Sequence, residues 1–184
     1  MSFMARKRWW GSLRMSQASN KVQWCINKAN KELADKGMHR GLVRQETDQK
    51  TAVLHIAKAQ HNLDAALFFQ KNNYSDWSAS AFFYCLYHCF LAILRKFGYQ
   101  SRNQECTIAA VEMLKGQGEI SIDSRFIAAL RVSQAKEDEG NMIQIRESFQ
   151  YGTDIEFQKK EQIEELTLLC KEAIEAASRI IFAK

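Results

Sequence analysis

The chain reads as an all-α protein, and three observations in the sequence lead there. It has no proline and only eight glycines in 184 residues, so little in it stops a helix. Apolar residues recur at three- and four-residue steps over most of its length. No stretch alternates apolar and polar residues for long enough to make a strand of ordinary length. The expected architecture is an antiparallel up-and-down bundle of four to five core helices with an extra N-terminal helix. At this length one domain can bury a sizeable core without staples.

Residues 1–20 form a basic leader, expected to be flexible, with Arg6-Lys7-Arg8-Trp9-Trp10 and Arg14. Such a segment reads either as a nucleic-acid arm or as a leader upstream of a second initiator at Met15; the second reading is preferred. Residues 21–47 comprise an amphipathic helix and a connector. Val22, Cys25, Ile26, Ala29 and Leu33 share one face of a helix over 21–36, Gly37 ends it, and the polar, basic stretch 37–47 links it to the bundle.

The bundle proper is assigned to residues 48–184. Asp48 caps a helix that runs to Lys71, with Ala52, Leu54, Ile56, Ala59, Leu63, Ala66, Leu67 and Phe69 on its apolar face. Asn72-Asn73 supplies a turn, because small amides tolerate left-handed backbone. Ser75 caps the next helix, which ends near Phe97-Gly98 and is apolar almost all round, so it belongs at the centre. Ser101 and Gln104 have the spacing of a capping box for a helix over 102–115, closed by Gly116-Gln117-Gly118. Asp123 starts a further helix with Phe126, Ile127, Leu130 and Val132 inward, interrupted at Glu137-Asp138-Glu139-Gly140. The helical pattern resumes at Met142 and runs to Tyr151-Gly152, and a last helix spans about 156–182.

Charge is uneven. Residues 1–46 hold ten Lys/Arg against three Asp/Glu, a net of +7 that leaves −2 for the remainder of a chain whose total is +5. Five cysteines, an odd number, and no secretory signal pattern point to reduced, buried thiols and a cytoplasmic protein rather than a disulfide framework. The most apolar run, Ala79 to Leu94, contains His88 and two tyrosines and ends at Arg95-Lys96, which reads as a core helix and not a membrane span.

Three constellations could carry chemistry. Arg146 precedes Glu147, Ser148 and Tyr151 on one helix. A guanidinium stays charged at any working pH and matches phosphate oxygens with forked donors. Five residues put Arg146 and Tyr151 about 140° apart on an ideal helix, so they meet only if the helix unwinds near Gly152 or a second subunit completes the site. Arg102, Asn103 and Glu105 lie at a helix start, where unpaired amides favour anions, although ordinary capping is the preferred reading unless a neighbouring chain adds cations. Cys85, His88 and Cys89 share a helix face at metal-ligand spacing, with Cys106 or Cys170 available as a fourth ligand. The absence of closely spaced cysteine pairs favours no metal, and His88 is expected to be a buried or interfacial imidazole bonded to a hydroxyl. His39, His55 and His61 have no evident partner in the sequence.

Read in order, Ala57-Lys58-Ala59 to Ala65-Ala66, Tyr74-Ser75-Asp76-Trp77, Ala81-Phe82-Phe83-Tyr84 to Tyr87-His88, Gly98 to Ile108 and Arg146 to Gly152 resemble the HEPN (higher eukaryotes and prokaryotes nucleotide-binding) superfamily over about seventy per cent of the chain. The resemblance implies a helical bundle that pairs as a homodimer, with a small nucleotidyltransferase-family protein as partner and RNA or nucleotide as ligand, often in toxin–antitoxin pairs. Many such proteins are metal-independent endoribonucleases. Their motif is Arg, four to six residues, then His, commonly with Asn after the Arg, and both subunits supply it to one cleft. Here Arg146 holds the arginine position, Glu147 replaces the Asn, and Tyr151 stands in the histidine position. A phenol with a reference pKa near 10 is a poor proton shuttle at neutral pH, so binding is expected to survive better than catalysis. The leading expectation is a nucleotide- or RNA-binding module; the alternatives are a ribonuclease using Tyr151 or His88, and a dimerising scaffold without a ligand.

Overall fold

The structure, a computed structural model, describes residues 16–131, 141–155 and 160–183. Within them lie seven helices and one two-stranded sheet: α1 (Gln17–Lys36), β1 (Leu42–Arg44), α2 (Gln49–Lys71), α3 (Ser75–Lys96), β2 (Tyr99–Ser101), α4 (Gln104–Gly116), α5 (Ser124–Ala129), α6 (Met142–Tyr151) and α7 (Lys160–Phe182). The first fifteen residues, the acidic break at 137–140, Val132 and positions 156–159 fall outside the described residues.

α2 and α3 form an antiparallel hairpin folded at Asn72-Asn73-Tyr74, where Asn73 takes the left-handed backbone (φ 62°) expected of an amide at a turn. Contacts run the length of the pair. Ser78 donates to the Ala66 carbonyl at 3.1 Å near the turn, and Arg95 donates to Asp48 at 2.7 Å at the open end. Asp48 also caps α2 by accepting from the Thr51 amide at 2.8 Å. The Thr51 side chain, that amide and Arg95 together pull its carboxyl down to about 2.

α3 is the central helix, as its all-round apolarity required. Phe82, Leu86, Phe90, Ile93 and Leu94 are fully buried, and α2, α4, α6 and α7 all pack against it. By length and hydropathy alone α3 would suffice to cross a bilayer, but two thirds of its apolar window is buried by the other helices, as a core helix requires.

Several expectations need correction. Ser75 is the first residue of α3 and its cap position falls at Tyr74, while Leu33 on α1 and Leu54 and Leu67 on α2 are exposed instead of facing the core. The connector at 37–47 is not all coil, because Leu42–Arg44 pairs antiparallel with Tyr99–Ser101, in the register Leu42↔Ser101, Val43↔Gln100 and Arg44↔Tyr99. Strands of three residues are too short to leave an alternation in the sequence. Gly98 makes this corner possible, since its φ is 73° and a Cβ there would lie 2.6 Å from the Gln45 carbonyl oxygen. The helix after Ser101 is capped not by that serine but by Asn103, which accepts from the Cys106 amide at 3.0 Å. Ser101 instead bonds Thr107, while Gln104 reaches the Leu130 carbonyl. Helix α1 begins at Gln17 under a Ser16 cap, four residues before its expected start.

The thiol expectation is overturned in part. Cys25 on α1 and Cys106 on α4 form a disulfide with Cα atoms 6.0 Å apart, while Cys85, Cys89 and Cys170 remain free and buried. Their separation of 81 residues hides the pairing from sequence alone. With Val22 and Ile26 it fixes α1 onto the main core cluster. Closing a loop of that size confines the unfolded chain at a stabilisation of about 4–5 kcal/mol in the chain-entropy treatment. Thermal melts should therefore show a clear drop in Tm when reductant is added, and Cys106→Ser should lower Tm in the oxidised protein and abolish the response to reductant.

Candidate functional site

α6 is short and depends on its N-terminal anchor. Asn141 is buried, and its side-chain oxygen accepts from the Ile143 and Gln144 amides, while its Nδ2 donates to the Arg131 and Ala128 carbonyls. Met142 and Ile143 then enter the core, which sets the next turn of the helix against α3. That turn carries Arg146.

The Arg146 guanidinium lies 4.4 Å from the centroid of the Phe83 ring, a cation–π arrangement, and its side chain is only 17% exposed. Its Nη2 is 3.6 Å from a Glu147 carboxylate oxygen, and among the described residues its buried Nε has no hydrogen-bond partner. Phe83 in turn stacks on Tyr87 at 5.8 Å between centroids and meets Tyr84 edge-on at 5.1 Å. The Tyr87 hydroxyl is 3.1 Å from Thr107 Oγ1, and burial pushes its pKa up. A chain of contacts thus runs from the sheet corner at Ser101 through Thr107, Tyr87 and Phe83 to Arg146. Asn103, whose carbonyl accepts from Thr107 Oγ1, joins that chain at one remove.

The remaining residues singled out in the sequence do not converge on Arg146. α6 stays helical through Tyr151, which is 77% exposed and about 140° around the helix from Arg146. Ser148 turns its hydroxyl back onto the Ile145 carbonyl at 2.8 Å. The Asn103 side chain is committed to capping, and Arg102 is exposed at the β2–α4 junction, its backbone N–H donating to the Gly41 carbonyl.

His88 is not bonded to a hydroxyl. Its Nδ1 lies 2.9 Å from His55 Nδ1 across the α2–α3 seam, the ring centroids 5.1 Å apart, so His55 does have a partner. Counted along α3, His88 sits about 140° from Phe83, facing α2 instead of Arg146. The proposed zinc grouping is also dispersed: His88 is taken by His55 and Cys106 by Cys25. Among the described residues, no three His, Cys, Asp or Glu side chains are placed to hold a metal ion. The free thiols are buried as well: Cys170 Sγ donates to the Phe82 carbonyl at 3.6 Å, and the neighbouring Cys85 together with burial pushes the Cys89 and Cys170 thiols up.

Burial, then the neighbouring positive charge of His55 and of Lys58, lowers His88 to about 4; burial followed by Arg95 lowers His55. Both imidazoles are therefore neutral in the folded protein at pH 7, one donating Nδ1–H to the other. A depressed folded-state pKa gives stability that is complete above the unfolded value near 6.5 and is lost as pH falls toward 4. Thermal melts across that interval should show Tm falling with pH, and His88→Gln, which cannot take up the proton, should flatten the fall.

No protein-family model matches this chain, and no curated protein matches it either.

Proposed function

We propose that the chain is an HEPN-like, dimeric module that binds RNA or a nucleotide through Arg146, with a nucleotidyltransferase-family protein as its partner. The observation that carries this reading is the state of Arg146. It is a permanent cation held over an aromatic ring, and among the described residues its buried Nε has no hydrogen-bond partner and its nearest carboxylate is Glu147 at 3.6 Å. Stacking on Phe83 limits the rotamers of a side chain that otherwise loses much entropy on binding, so its donors are pre-positioned for an oxyanion. The exposed phenols of Tyr84 and Tyr151 flank this helix pair and supply surfaces for a base.

Tyr151 and Arg146 point to different sides of α6, and a cleft that uses both draws one from each of two protomers. The binding reading is favoured over the ribonuclease because the histidine nearest in sequence faces α2, leaving Tyr151 as the group in the motif position.

Fluorescence anisotropy with a labelled mixed-sequence RNA tests the proposal. Arg146→Ala should weaken binding about tenfold or more, the loss of one charge-assisted contact. Glu147→Gln should tighten it by removing the competing carboxylate. Unchanged affinity in Arg146→Ala overturns the assignment, and RNA cleavage abolished by Tyr151→Phe would replace binding with catalysis.

A further inference from the structure

α1 has two unlike faces. Val22, Cys25, Ile26 and Ala29 are buried against α4 and the sheet. On the opposite side, Gln17, Asn20, Lys21, Trp24, Asn27, Lys28 and Lys31 fall within about 60° of one another's centre line on an ideal helix. The indole in the middle of this polar face lies outside the core clusters of the described residues, and Trp24 is 53% exposed. Two ammonium groups flank its ring, Lys21 Nζ at 4.8 Å and Lys28 Nζ at 5.2 Å from the centroid. Lys31 continues the row one helical turn further on, and the cations extend along about 15 Å of helix.

The acidic groups nearby do not cancel this row. Glu105 pairs with Lys21 at 2.9 Å. Glu32 is engaged by the Arg40 amide at 2.8 Å, and Asp35 lies one turn beyond Lys31. Among the described residues no carboxylate forms an ion pair with Lys28 or Lys31.

We propose that the outer face of α1 is a contact site for single-stranded nucleic acid, in which a base stacks on Trp24 while Lys28 and Lys31 hold the neighbouring phosphates. An exposed aromatic ring set among cations is the element that sequence-tolerant single-strand binding requires, because every base has a π-face and every nucleotide one negative charge. The amides of Asn20 and Asn27 add donors and acceptors for base edges beside the ring. A membrane surface is disfavoured, because the apolar face that would enter it is already used in the core. The site is separate from Arg146, and this inference does not rest on the function proposed for that residue.

The test uses the full-length protein, a fluorescein-labelled 15-nucleotide oligo(U), and anisotropy titrations at several salt concentrations. Trp24→Ala should weaken binding five- to tenfold, and Trp24→Phe should recover most of it. Lys28→Gln with Lys31→Gln should reduce the slope of log affinity against log salt by about 1.4, or 0.7 for each phosphate contact of a single strand. Arg146→Ala, titrated in parallel, should leave both of these differences in place. The proposal is overturned if the α1 variants bind and respond to salt like the parent, if Trp24→Phe is as weak as Trp24→Ala, or if the protein takes up phosphatidylglycerol vesicles but not the oligonucleotide.

Discussion

The packing of α3 on α2 is the constraint on which the rest of the molecule depends. α3 is too apolar to expose more than a narrow stripe, so once the hairpin closes at Asn72-Asn73 the other helices have a fixed surface to cover. The hairpin is registered by polar contacts as well as by burial. Arg95 meets Asp48 at one end, His55 meets His88 midway, and Ser78 meets the Ala66 carbonyl near the turn. A slip of one residue would break all three at once, and each would leave a half-buried polar group without a partner. Register is therefore specified more sharply than apolar packing alone would achieve.

That geometry also decides where Arg146 sits. Phe83 and Tyr87 are one turn apart on the face of α3 that α6 covers, and the guanidinium closes over the first of them. Tyr87 is held by Thr107, so the aromatic platform beneath the cation is braced from the sheet side. The arginine is consequently a positioned group, unlike the freely solvated Arg102.

Much of the fold was legible in the sequence, and the exceptions share a cause. Helix periods, the Asp48 cap, the left-handed Asn73 and the burial of the aromatic helix are local properties, and local chemistry determines them. The disulfide, the three-residue strands and the histidine pair all join residues distant in the chain. Of these only the pair left a usable signal: His55, seventeen residues before Asn72, and His88, fifteen after Asn73, fall within two residues of the same level of the hairpin. At the candidate site the 140° separation of Arg146 and Tyr151 was readable from helix geometry. The cation–π contact with Phe83 was not, because nothing in the sequence says which face of α3 receives α6.

The covalent tie between Cys25 and Cys106 has a topological effect as well as an energetic one. It turns residues 25–106 into a closed ring that contains most of α1, the whole α2–α3 hairpin, both strands and the start of α4. A protease that nicks an exposed turn inside this ring, such as the one at Asn72-Asn73, severs the backbone without releasing a fragment. The two pieces stay linked until the sulfurs are reduced, so damage to the central hairpin is retained within one molecule.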